Sequence, residues 1–139
     1  ETLDIMQTKY PNWFSPNLHQ FRGQREKLPF DQHWFLALCA PRPFIALEGI
    51  TDTISLPEAV RQSILGAQPA YSLFGSKDHL GVNYAQHGHA FTQEDWTALM
   101  DFADKYLLGK PVARKFDRFP STEELDAAAA GSNAAARNR

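Results

Sequence analysis

Leu80-Gly81-Val82-Asn83-Tyr84-Ala85-Gln86-His87-Gly88-His89-Ala90-Phe91-Thr92-Gln93-Glu94-Asp95-Trp96 is the stretch that decides how this chain folds. Residues 80–86 read as a strand. Thr92 is a good N-cap, and Asp95 stands at the capping-box position. The span 93–108 then follows a helical pattern, with Trp96, Leu99, Met100, Ala103, Tyr106 and Leu107 on one stripe. Gly109 and Pro111 end it. A short loop carrying His87 and His89 joins strand to helix. In open α/β sheets, sites form just beyond the carboxyl ends of the strands. A histidine in that position can take up a proton and return it.

A second strand signal lies upstream. Phe44-Ile45-Ala46-Leu47 is a continuous apolar run between Pro43 and Gly49, the signature of a buried parallel strand. Residues 48–56 form the loop at its carboxyl end. Residues 57–65 read as a helix stopped by Gly66, and 69–74 as a second short helical segment closed by Gly75. The order strand, helix, strand, helix predicts a right-handed parallel crossover. Asp52 and His89 then project from the same sheet edge. A carboxylate beside a histidine fixes its tautomer and stabilises the imidazolium, as in a serine–histidine–acid triad. In α/β-hydrolases the chain order is serine, acid, histidine, and Asp52 and His89 keep it. The expected class is α/β: the C-terminal portion of an α/β-hydrolase, a three-layer sandwich at the edge of a parallel sheet. Two strands are too few for a stable sheet, so the domain is expected to be incomplete, with its inner strands upstream.

Other assignments compete for the same residues. Glu48 is an alternative acid, closer to the strand's end. His89 could be an ordinary loop histidine. His87 and His89 alternate and would share a face on an extended strand, where a metal could use the pair. Asp78 and His79 are the candidate further ligands, without metal-site spacing. Ser76 follows Gly75 but precedes Lys77-Asp78, with no strand immediately before it, so it lacks the nucleophile elbow. The nucleophile is therefore expected upstream. His33 reads as a structural histidine in an apolar helix, and Trp13 and Phe14 as packing residues.

The flanks are simpler. Residues 1–9 have helical spacing, ended by Tyr10-Pro11. Residues 12–17 form an aromatic loop, and 21–27 a polar surface segment. Asp31 is an N-cap candidate for a helix with Trp34, Phe35, Leu36, Leu38 and Cys39 on a broad apolar face, broken at Ala40-Pro41-Arg42-Pro43. Residues 1–110 read as the hydrolase portion, and the alanine-rich 111–139 as a loose or disordered tail. At 139 residues with a net charge of −2, the chain shows no basic cluster for nucleic acid or an anionic membrane surface. No apolar run is long enough for a membrane span. Cys39 is alone, so no internal disulfide forms. The chain begins inside an element, which suggests a truncated parent whose compartment the residues do not fix.

Five motifs carry a family resemblance. Asn12-Trp13-Phe14-Ser15-Pro16-Asn17, Leu28-Pro29-Phe30-Asp31-Gln32-His33, Ala40-Pro41-Arg42-Pro43, Asp78-His79-Leu80-Gly81 and Gly88-His89-Ala90-Phe91 resemble, in order, the C-terminal half of the glucuronoyl esterases of carbohydrate esterase family fifteen. The resemblance spans residues 1–109. It implies an α/β-hydrolase fold and a serine esterase without metal or other cofactor. The implied substrate is the ester between 4-O-methyl-glucuronic acid on xylan and a lignin alcohol. It implies His89 as the catalytic histidine, and Asp52 or an upstream glutamate as the acid. Glu1 matches a sugar-contacting position, and the serine and an oxyanion-holding arginine lie upstream. The compartment it implies is secreted or periplasmic. Two positions depart from the family: Ile54 stands where a tryptophan commonly packs on the uronic acid, and Tyr10 where the fungal members carry a sugar-contacting glutamate.

Overall fold

The computed structural model describes residues 2–137, which divide into two compact units, one ending at Asp31 and the other starting at Gln32. The first unit holds helix α1 (Leu3–Lys9), a 3-10 turn at Pro11–Trp13, the short helix α2 (Pro16–His19) and a second 3-10 turn at Arg25–Lys27. Its ends are tied by side chains. Asp4 Oδ1 accepts the Gly23 amide at 2.7 Å, and Arg22 donates to the Thr8 hydroxyl at 2.6 Å. Gly23 has φ 70°, a left-handed turn that glycine takes without steric cost. Tyr10 and Trp13 stack with ring centroids 4.3 Å apart.

The second unit holds α3 (Gln32–Ala37), β1 (Phe44–Gly49), α4 (Pro57–Leu73), β2 (Leu80–Ala85), α5 (Gln93–Tyr106) and α6 (Thr122–Arg137). β1 and β2 pair in parallel, Phe44 opposite Leu80 and Gly49 opposite Ala85. β1 thus runs past Leu47 to Gly49. Its continuation Ile50 donates to the Ala85 carbonyl at 2.8 Å, so both strands end level and release their loops side by side. The core packs Ile64, Ala67 and Tyr71 of α4 against Leu80 and Val82 of β2, with Leu36, Ala37 and Cys39 around it. The apolar residues of α3 and of the turn after it divide: Leu36 and Cys39 pack inward, whereas Trp34, Phe35 and Leu38 are exposed.

Three segments differ from the expectations above. The first is α4, which is one continuous helix through Gly66 and Pro69 rather than two segments. Gly66 is there for packing. A Cβ on it would lie 2.9 Å from the Cβ and Cγ of His33, so α3 and α4 touch backbone to side chain at this point. Gly66→Ala is expected to lower stability by up to about 2 kcal/mol. Overpacking costs about 1–3 kcal/mol and outweighs the gain of about 1 kcal/mol in helix propensity, because the atoms it meets are near the His33 backbone and cannot swing away. Equilibrium denaturation measures it; a stabilised variant would show that His33 yields.

The second is α5, where the capping box forms but the buried stripe is turned from the expected one. Asp95, Ala98 and Phe102 face inward, while Trp96, Met100 and Leu107 are more than half exposed. Phe102 sets this rotation. It lies over Gly81, where a Cβ would come within 2.7 Å of its ring, and against Phe116 with centroids 5.1 Å apart. The third is residues 111–125, several of which are held against the rest of the unit. The Val82 amide donates to the Phe116 carbonyl at 2.8 Å, covering the outer edge of β2. Phe116 is buried, and Arg114 reaches Asp101 at 2.8 Å and Glu94 at 2.6 Å on α5. Composition hid this, because a few anchoring residues hold a stretch that is otherwise polar.

Candidate active site

The site grows from the level ends of the two strands. After β1 the chain turns back at once: the Asp52 amide donates to the Gly49 carbonyl at 2.9 Å. Asp52 then organises its own loop, its Oδ1 accepting the amides of Ile54 at 2.7 Å and Ser55 at 3.2 Å. Its Oδ2 is left for another partner. After β2 the loop bends at His87, whose carbonyl accepts the Thr51 amide at 3.2 Å. That bond joins the two loops next to Asp52. Gly49 permits the approach. A Cβ there would lie 2.3 Å from the Gly88 carbonyl oxygen, 2.4 Å from that of His87 and 2.7 Å from the His87 Nδ1.

The result is a close pair. His89 Nδ1 sits 2.9 Å from Asp52 Oδ2, although 37 residues separate them. The carboxylate accepts, so Nδ1 carries the proton and Nε2 faces outward as a base. Asp52 is buried, whereas the His89 side chain is 62% exposed, which leaves its Nε2 edge open to an incoming group. Burial alone would raise the Asp52 pKa. The bonds from His89, Ile54 and Ser55 outweigh it and bring the carboxyl from its ordinary 3.8 down to about 2. The acid is therefore ionised wherever the histidine works.

Linkage gives the sign. A depressed carboxylate pKa adds stability that is complete above the ordinary value and is lost as pH falls through the folded one. Asp52 is expected to contribute about 2 kcal/mol near neutrality, lost between about pH 4 and pH 2. Asp52→Asn should flatten that part of the stability-against-pH curve. An unchanged acid limb in the variant would refute the assignment.

The other candidates go elsewhere. Glu48 is buried, and its Oε1 accepts the Ser55 hydroxyl. Burial is the main influence raising its pKa. It lies behind the Asp52 loop as a second carboxyl, while Asp52 takes the histidine. His87 and His89 do not share a face, because β2 ends at Ala85 and both lie in the loop. His87 turns inward to Asp95, with Nε2 3.0 Å from Oδ2 and 3.2 Å from Oδ1, and its Nδ1 is 2.8 Å from the Gly88 carbonyl. Both its ring nitrogens are thus occupied. His79 Nδ1 is 2.8 Å from the Pro41 carbonyl, just before the start of β2 and at the opposite strand end from the His89 loop. Ser76 is buried at that same end, its hydroxyl donating to the Tyr71 carbonyl at 3.2 Å. Glu1 lies outside the described residues. Among the described residues, no group of three or more His, Cys, Asp or Glu could hold a metal ion. No helix of the described residues is long and apolar enough to cross a membrane.

A depression of about 190 Å³ opens over the pair, with Glu48, Ser55, His87 and Phe91 in its wall. Sequence reasoning had placed Asp95 only as a cap and missed its bond to His87. It also missed the close approach at Gly49. A glycine at the end of a strand beside a histidine loop was the available signal for the latter.

A family model described as fungal glucuronyl esterase matches residues 2–75. A carbohydrate esterase, MZ0003, from an unknown prokaryotic organism is 30% identical over 124 residues, covering 78% of this chain and 29% of that protein. The 4-O-methyl-glucuronoyl methylesterase of Hypocrea jecorina (strain QM6a) is 33% identical over 100 residues, covering 70% of this chain and 22% of that one. A family fifteen glucuronoyl esterase structure from Caldicellulosiruptor kristjansonii superposes with a TM-score of 0.81 at 33% identity. It covers 91% of this chain and 34% of that one. The chain thus spans about a third or less of the length of these relatives.

Proposed function

The chain belongs to the glucuronoyl esterase family, whose fold is that of the α/β-hydrolases, and from that premise we propose that it carries the histidine and the acid of a serine carboxylic-ester hydrolase. The carrying observation is the His89–Asp52 contact at 2.9 Å from the level ends of two parallel strands. The nucleophile is a serine outside the described residues. His89 Nε2 takes the serine proton as the hydroxyl attacks the ester carbonyl, then returns it to the departing alcohol. A water repeats the sequence on the acyl-enzyme and releases the acid. Asp52 holds the Nδ1–H tautomer and offsets the imidazolium charge. No metal or other cofactor enters this scheme.

The substrate class we propose is the ester of a 4-O-methyl-glucuronoyl group on xylan with a lignin alcohol. It is supported by the names of relatives from Hypocrea jecorina and Phanerochaete carnosa, both 4-O-methyl-glucuronoyl methylesterases. Such polymers lie outside cells, so the protein acts as a secreted or periplasmic enzyme. Hydrolysis of a benzyl glucuronate ester by the whole protein tests the reading. Activity on it, and little on the matching acetyl ester, is the expected result. Inactivity on both sinks it.

One observation favours a second reading, a non-catalytic carbohydrate-binding or structural remnant of the same fold. Ile54, 42% exposed beside Asp52, stands where the resemblance implies a tryptophan that packs on the uronic acid. Retained xylan-oligosaccharide binding by a hydrolytically inert whole protein would select it.

A further inference from the structure

His87 lines this site without a part in the catalytic scheme, and its surroundings are built rather than incidental. Its side chain is 14% exposed and that of Asp95 only 1%. Asp95 Oδ2 also accepts the Thr92 amide at 2.7 Å and the Thr92 hydroxyl at 2.8 Å, so the carboxylate is fixed to the first turn of α5. Both His87 ring nitrogens face acceptors, a carboxylate and the Gly88 carbonyl. A neutral imidazole has one donor and would turn a lone pair toward one of these oxygens.

We propose that His87 is a positioning residue: held as an imidazolium between Asp95 and the Gly88 carbonyl, it fixes the turn that presents His89 to Asp52. The turn is pinned from three sides. Asp95 holds it from α5, Thr51 holds the His87 carbonyl from the acid's loop at 3.2 Å, and the His87 amide donates to Ala85 at the end of β2 at 3.0 Å. The charged groups facing the ring are Asp95 on α5 and Glu48 on β1. Burial opposes the charge, but the Gly88 carbonyl, Asp95 and Glu48 outweigh it and raise the His87 pKa. A raised histidine pKa means the contribution is complete below the ordinary value and is lost as pH rises through the folded one. Alignment of His89 is therefore lost on the alkaline side.

The consequence for catalysis rests on the esterase reading, but the first test does not. In whole protein with ¹⁵N-labelled histidine, NMR at neutral pH is expected to show His87 protonated on both nitrogens and His89 as the Nδ1–H tautomer. A neutral His87 overturns the proposal. In His87→Gln, His89 should shift to a mixture of tautomers, because its register with Asp52 is no longer held. An unchanged Nδ1–H tautomer also overturns it. Should that variant misfold, Asp95→Asn serves: the cap shape stays, and His87 must titrate at lower pH, while an unmoved titration counts against the proposal. In an active enzyme, His87→Gln is expected to lower kcat about 10–100-fold with KM unchanged, as small misplacements of a reacting group do, and to remove the alkaline limb of the kcat profile. The NMR results stand even if the esterase reading fails.

Discussion

His89→Ala lowers kcat/KM of the whole protein on a benzyl glucuronate ester by at least about 10³-fold, with thermal stability close to that of the parent. The size follows from the role. General acid–base catalysis contributes about 10²–10⁴-fold, and loss of a group acting with a nucleophile removes the nucleophile's activation as well. The stability follows from exposure: with its side chain 62% in solvent, His89 contributes little packing, and Asp52 keeps its bonds from Ile54 and Ser55. Asp52→Asn is the partner experiment. The asparagine keeps the shape but offers Nδ1 no charge, so the wrong tautomer is populated, and a loss of about 10²–10⁴-fold is expected. Activity that collapses in the histidine variant but survives in the asparagine variant places the acid elsewhere. Glu48 is not bonded to the histidine, whose Nδ1 is held by Asp52 Oδ2, while Glu48 Oε1 holds Ser55. The acid would then be Glu48, which lines the same depression, or a carboxylate outside the described residues.

How far the residues alone carried this can be judged element by element. The strand at 80–85 and the crossover were legible because apolar runs bounded by proline and glycine have few other solutions. The Thr92–Asp95 capping box was legible for a local reason: its partners are close in sequence and need no tertiary information. Asp52 and His89 were legible as a pair only through topology, since two parallel strands must release their loops at one edge. What failed was what depends on neighbours. Gly66 read as a stop and Pro69 as the start of a second segment, yet α4 runs through both because Ile64, Ala67 and Tyr71 lie on one buried face that rewards continuity. The inward face of α5 was misread because Phe102 fits the space that Gly81 leaves, a contact no periodicity reports. The pairing of His87 with Asp95 was missed for a similar reason. A residue already explained as a cap gives no sign that its carboxylate has a second partner.

The same lesson gives the second large effect, Gly49→Ala. Glycine here is not needed for a left-handed backbone; it lies at the end of β1 and pairs with Ala85 in the regular register. It is needed for space. The new methyl would stand 2.3 Å and 2.4 Å from two carbonyl oxygens and 2.7 Å from a ring nitrogen of His87. None of these can move cheaply. The oxygens belong to backbone, the His87 carbonyl holds Thr51, and the ring is fixed by Asp95. The loop must lift from the strand end, which breaks the Thr51 bond and parts His89 from Asp52. We expect a loss of about 3 kcal/mol in stability, at the upper end for overpacking, and at least about 10²-fold in kcat, as for a misplaced reacting group. Gly88→Ala separates space from mere proximity. Gly88 adjoins both histidines, and beyond those two neighbours a Cβ on it meets no atom within 4 Å. Its melting temperature should stay within a few degrees of the parent's, as for substitutions that disturb no packing. Denaturation and steady-state kinetics on the two variants decide the matter. Equal damage in both would mean that the loop needs flexible glycines, whereas damage in Gly49→Ala alone means that the strand end must be bare for the histidine loop to cross it.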